Sequence, residues 1–258
     1  MWWQLNWTDS IVTRSRIDRF IIVSITALFP SSLSCQSSGF SPARETFPQY
    51  VQEFFLSDTV RNQDRGELQV TVGVGSQEDV GTTDILKLEY GLTRRLQLGF
   101  DQSYGNTDEH GPRPSKWGPA SAGMQYQIRN SSKFVLAAGL AVGIPSGPGS
   151  EIEFQPTILA ARTFRSAQIH ATFEAGLGKE NPSFQYNLAS VFSVHPRWYP
   201  TLEFSVRSLR DRTALYLTPG VYRRIGQQFE FGIGTPFGLS ENAGSAGVVA
   251  KLTLEIRR

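Results

Sequence analysis

The sequence predicts an all-β fold: a closed, antiparallel, up-and-down transmembrane β-barrel of about twelve strands. Three observations predict it. Apolar and polar residues alternate with period two, the pattern recurs from residue 67 to the end, and an export-type leader precedes it. The alternation is clearest in residues 83–104. Leu86, Leu88, Tyr90 and Leu92 alternate with Lys87, Glu89 and Gly91. After Thr93, Arg94 and Arg95 the beat resumes, with Leu96, Leu98 and Phe100 against Gln97, Gly99 and Asp101. Successive side chains on a strand point to opposite faces, so the two arms form a hairpin with one apolar and one polar face.

The totals fit this class. The chain has 258 residues, and its mean hydropathy of −0.24 resembles that of a soluble protein. No run approaches the ~20 apolar residues of a spanning helix, which sets aside a helical membrane protein but not a barrel. The 24 glycines and 12% aromatic content lean toward a barrel, and a net charge of +2 argues against a nucleic-acid partner. The single Cys35 leaves no internal disulfide framework and no cysteine-rich metal site.

Residues 1–35 read as a signal region. Arg14, Arg16 and Arg19 precede the apolar run 20–29, Pro30 breaks it, and Ser31, Ser32 and Ser34 follow. A basic stretch, a short apolar stretch and small residues make a secretory signal, with cleavage expected between residues 34 and 38. The start of translation is expected nearer Val12. Cys35 is read as lying beside an ordinary cleavage site rather than as a lipid anchor.

Residues 36–66 are read as a periplasmic lead-in. The cluster Phe47, Tyr50, Val51, Phe54 and Phe55 is either a helical turn or two resting on the barrel mouth or leaflet, or a set of loose apolar anchors. The barrel is assigned to 67–258. Its strands are expected at 67–75, at both arms of the hairpin, and at 120–129, 133–144, 151–164, 168–177, 183–194, 201–207, 213–225, 228–238 and 247–257. Most are close to the ~9–11 residues that a tilted strand needs to cross a bilayer. Even-numbered links are mostly tight turns, and odd-numbered ones are mostly longer and rich in Gly, Pro and Ser, as in outer-membrane barrels.

Periodicity alone does not say which face meets lipid. The export signal, the loop asymmetry and aromatics near strand ends (Tyr90, Phe100, Tyr104, Phe164, Tyr199, Tyr222, Phe237) favour leucines outside and charges within. Closure also removes unpaired edges, which hydrocarbon does not tolerate. The lumen-lining candidates are Lys87, Glu89, Asp101, Gln125, Arg129, Glu153, His170, Glu174, Glu203, Arg207, Glu230 and Lys251. Acids and bases are expected to pair across strands, for example Lys87 or Arg129 with Glu89 or Asp101.

Three segments, residues 64–69, 88–98 and 217–222, resemble the outer-membrane transporters of the MetA-pathway of phenol degradation family. The resemblance covers about residues 60–258 and implies an outer-membrane barrel that moves small solutes, aromatic ones among them. It carries over no catalytic or binding residue.

Chemistry is sparse. His110 sits beside Asp108 and Glu109 in a polar loop, His170 shares a face with Thr172 and Glu174, and His195 has Ser193 two positions back. The last pair is the only hint of a barrel lipase, which needs serine and histidine within hydrogen-bond reach. Gly73 and Gly75, like Gly232 and Gly234, are read as relief of crowding in a curved sheet, since no helix follows to make a nucleotide loop. No enzyme activity, cofactor or metal is expected. The leading expectation is a bacterial outer-membrane channel whose partners are the lipid bilayer, a small-molecule solute and the outer-membrane insertion machinery. That machinery commonly reads a terminal aromatic, whereas this chain ends Ile256, Arg257, Arg258. A non-conducting structural barrel is the alternative, with an outer-membrane lipase behind it.

Overall fold

In a computed structural model the described residues are 47–77, 81–106, 116–144, 152–178, 182–209 and 212–257. The leader, Cys35 and His110 lie outside them. Thirteen strands follow in order: β1 (Leu68–Gln77), β2 (Gly81–Gly91), β3 (Leu96–Asn106), β4 (Lys116–Asn130), β5 (Phe134–Ile144), β6 (Glu153–Phe164), β7 (Ala167–Gly176), β8 (Ser183–Phe192), β9 (Trp198–Leu209), β10 (Arg212–Ile225), β11 (Phe229–Gly234), β12 (Phe237–Gly238) and β13 (Gly247–Ile256). From β1 to β11 each strand pairs antiparallel with the next, β13 pairs with β11, and β13 pairs with β1 from Leu68↔Ile256 to Gln77↔Gly247, which closes the sheet.

β11 and β12 both pair with β10, so they are two pieces of one stave and the barrel has twelve. Thr235 and Pro236 make the break. Pro236 has no N–H to give the ladder, and its carbonyl instead accepts the Gly247 N–H at 2.9 Å. At one end the hairpins are tight. Arg165 at φ 49 and Gly226 at φ 69 supply the left-handed residues that such turns require. At the other end the links between strands range from residues 210–211 to residues 107–115, so the loop asymmetry is weaker than the sequence suggested.

The outer face is apolar. Val72 (52% exposed), Leu86, Leu98, Met124, Ile158, Phe184 and Leu252 stand on it. An apolar belt of this extent around a closed wall suits hydrocarbon rather than water. The ionic positions point inward, as the pattern predicts. One rung, read across paired strands, runs Glu153, Gly143, Ser121, Asp101, Lys87, Thr71, Thr253, Glu230, Arg224.

Three expected placements differ. Tyr199 and Tyr222, assigned to the aromatic girdle, are buried on the inner face. Arg129, assigned to the lumen, is exposed on the outer face. The register slips between Gln127 and Arg129, pairing Arg129 with outward Leu136, and the guanidinium lies 5.7 Å from the Phe134 ring. One extra residue in a strand reverses the face of everything beyond it.

Candidate functional site

The lumen is the candidate site, and it is filled by residues 47–66. These contain neither helix nor strand, and Phe47, Val51, Phe54, Phe55, Leu56 and Val60 are all buried. The segment dips in from the tight-turn end and returns to it. Tyr50 Oη donates to the Arg165 carbonyl at 3.3 Å on the way in, and Asn62 Nδ2 to the Arg95 carbonyl at 2.7 Å on the way out. Its deepest part, around residues 54–58, reaches Gln185, whose side-chain amide donates to the Leu56 carbonyl at 3.1 Å. A lead-in resting on the mouth is therefore not what forms: residues 47–66 are a plug. Burial of six large apolar side chains drives it inward.

With no ladder of its own, the plug must satisfy its main chain elsewhere, because a buried unpaired peptide group is costly. The wall supplies the partners. Glu203, fully buried, accepts the Phe55 and Leu56 N–H groups at 2.8 Å each, one per carboxylate oxygen. Glu230 accepts the Gln52 N–H at 2.7 Å. Lys251 donates to the Phe54 carbonyl and Gln168 to that of Pro48. Arg224 donates to the carbonyls of Gln49 and Tyr50 at 3.3 and 3.1 Å.

The plug's acids meet one wall base. Lys87 Nζ lies 3.1 Å from Glu53, 2.6 Å from Asp58 and 3.3 Å from Glu89. Glu89 in turn accepts from Gln97 at 2.5 Å and Gln69 at 2.7 Å. Glu89 lies on the same strand as Lys87, two residues on, and the other two partners come from the plug, so none of these three pairs joins adjacent strands as the sequence reading expects. Burial pushes the Glu53 carboxyl up, against the pull of Lys87 and Lys251. For Asp58 burial also pushes upward, but Lys87 overrides it and holds the group at about 2.

Aromatic seating completes the fit. Phe55 stacks on Tyr222 at 4.4 Å between centroids. A side chain at Gly220 would collide with the Phe55 ring, one at Gly234 would lie 2.9 Å from it, and one at Gly232 would strike Tyr222. These glycines make a slot for two rings rather than relieving curvature. His170 is buried between Phe54 at 4.7 Å and Phe47 at 6.2 Å, so it lies under the plug.

The remaining candidates sit around this contact. Gln125 donates to Asn62 at 2.8 Å. Asp101 accepts from Ser121 at 3.4 Å, and Glu153 from Gln155 at 3.0 Å. Glu174, Gln185 and Arg207 share a rung near the longer-loop end, with Arg207 5.9 Å from the Tyr216 ring. His195 is exposed in a turn, and its Nδ1 accepts the Arg197 N–H at 3.3 Å; among the described residues no hydrogen bond joins it to Ser193. No group of metal-ligating side chains occurs among the described residues.

Sequence reasoning missed the plug and its seat. One signal was available: Val135, Ala137, Leu159, Ala161, Ala189, Val191 and Val249 are apolar at inward positions. An inner wall wetted by solvent has no use for them, and they mark where the plug lies.

Comparison with known proteins bears on the fold. No family model and no curated protein matches the chain, so the likeness to the phenol-degradation transporters stays one of short segments. Solved structures do match. The COG4313 outer membrane channel from Pseudomonas putida F1 superposes with a TM-score of 0.57 at 14% identity, over 76% of this chain and 98% of that one. The KdgM porin gives 0.56 at 7% identity, over 74% and 99%. The NanC porin gives 0.57 at 7%, over 74% and 100%. The architecture, a closed antiparallel β-barrel, is the one these structures share. At these identities the likeness is one of fold.

Proposed function

We infer that the protein is a channel of the bacterial outer membrane for small solutes, shut in this conformation by residues 47–66. The observation that carries this reading is the origin of the lumen filling. The wall's inner positions are rich in small residues, Gly73, Gly99, Gly123, Gly139 and Ala141 among them. They leave a bore that a separable stretch of chain occupies, whereas a barrel built as a solid pillar fills itself with its own wall side chains. A twelve-stave bore is narrower than that of the 16–18-stranded porins, which suits small solutes. The apolar-and-charged lining is compatible with aromatic ones. The surroundings implied are the lipid bilayer outside, the solute within and the machinery that inserts barrels.

The second reading, a non-conducting structural barrel, is favoured by how fully the plug is buried. Single-channel recording in planar bilayers separates the two. The wild type is expected to conduct rarely and Phe55→Ala often. Stable insertion of both with no steps from either would sink the channel reading.

A further inference from the structure

The way the wall holds residues 47–66 differs from the way a domain holds its own core. Among the described residues, nine inward side chains on eight strands, Gln97, Gln125, Gln168, Glu203 and Lys251 among them, bond main-chain N–H or C=O groups of the segment. The segment has no regular structure, so these bonds replace a ladder. Recognition of an unladdered main chain by outside groups, with a few pockets for side chains, is how a receptor holds a peptide. Here the pockets are two. Lys87 takes the carboxylates of Glu53 and Asp58, and the Gly220, Gly232 and Gly234 slot takes Phe55 against Tyr222.

We propose that the lumen is a binding site for a looped peptide without regular structure that bears an acid followed by two adjacent aromatics, with residues 47–66 as its tethered, exchangeable occupant. The wall contacts are to groups that any peptide carries, so they set orientation and depth. The acid and the second aromatic set the choice. A tethered occupant is present at an effective concentration of ~mM, so a free peptide competes only when the tethered copy is weakened. The proposal rests on the lumen geometry used for the channel reading, but binding is measured separately from conductance.

The test uses the full chain carrying Phe55→Ala, which weakens the occupant and leaves the wall intact, and a fluorescent synthetic peptide of residues 47–63. Anisotropy is expected to show saturable binding in the micromolar range. The same peptide with Phe55→Ala should bind at least ~100-fold more weakly, as loss of a buried aromatic implies. A scrambled peptide should not bind. In bilayers the wild-type peptide is expected to close the variant's openings from the tight-turn side only. Absence of binding up to millimolar peptide, or equal binding of the scrambled sequence, overturns the proposal. Binding with no conductance at any stage counts against the channel alone. Should the variant not fold, the wild type is cut at a protease site inserted between Asp64 and Arg65, both exposed. The freed segment is then expected to exchange for labelled peptide, and failure to exchange within a day overturns the idea equally.

Discussion

The plug and the wall solve the same problem in different ways. Each must satisfy every main-chain polar group away from water. The strands of the wall do it through a closed circuit of strand pairs. Residues 47–66 do it by borrowing side chains from that wall. The wall is therefore self-sufficient and the plug is not. The wall's apolar surface faces outward, and only patches of its inner face, such as Val135 with Leu159 and Val191 with Tyr222, are shaped to receive the plug. A structure built this way is expected to lose its plug without losing its barrel.

That asymmetry can be broken or sharpened in four ways. The largest expected effect is on the plug alone. Phe55→Ala removes the ring from the glycine slot and should weaken the plug's hold by roughly 3–5 kcal/mol. Trypsin cleavage after Arg61 should then accelerate by two orders of magnitude or more, while heat-dependent gel migration still reports a folded barrel. Gly220→Ala approaches the same seat from the wall and should act in the same direction, because the added methyl collides with the Phe55 ring.

Next is the converse, damage to the wall alone. Val72→Arg puts a charge on the outer face near the middle of β1 and should cost about 2–4 kcal/mol of barrel stability, the penalty of a charge near the bilayer midplane. Urea titration of the barrel refolded in vesicles measures it. Unchanged stability would mean that this face does not meet lipid.

A smaller effect is expected of Glu203→Gln. The amide oxygen can still accept one N–H, but a charge-assisted pair becomes a neutral single bond, a loss of roughly 1–3 kcal/mol. Hydrogen exchange should quicken at Phe55 and Leu56 and stay slow in the strand ladders. Equal acceleration in both regions would mean that plug and wall unfold together.

The smallest effect is with pH, and its two limbs have opposite sign. Asp58 is held at about 2 in the plugged state, below the ordinary carboxylate range near 4. Its contribution to plugging is full above that ordinary range and is lost as pH falls through about 2. Glu53 is raised by burial, against the pull of Lys87, so its protonation as pH falls favours the plugged state. Opening is expected to rise as pH falls from about 4 to 2. Asp58→Asn should abolish that acid rise, and its persistence in the variant would assign the limb to another group.

Much of the wall was legible in the sequence because a strand in a two-faced sheet writes its environment at every second residue. Leu86, Lys87, Leu88 and Glu89 state their faces by parity alone, and parity survives any error in strand ends. Where the chain departs from parity, the reading failed. Ile128 is the extra residue that turns Arg129 outward, and nothing in Gln127, Ile128 and Arg129 announces a bulge. Tyr199 and Tyr222 sit on the inner face although their places near strand ends suit a girdle, because an aromatic near a strand end is equally at home facing headgroups or a buried ring.

The sequence by itself determined the alternating staves, their approximate bounds and the charged character of the inner face, since all three follow from local periodicity. Only the tertiary structure decided what that inner face touches. Phe55 meets Gly220, Gly234 and Tyr222, and Glu53 meets Lys87, across separations of tens to hundreds of residues. An irregular segment carries no period to reveal its partners, and its place is fixed only when the closed wall presents side chains to every exposed peptide group at once.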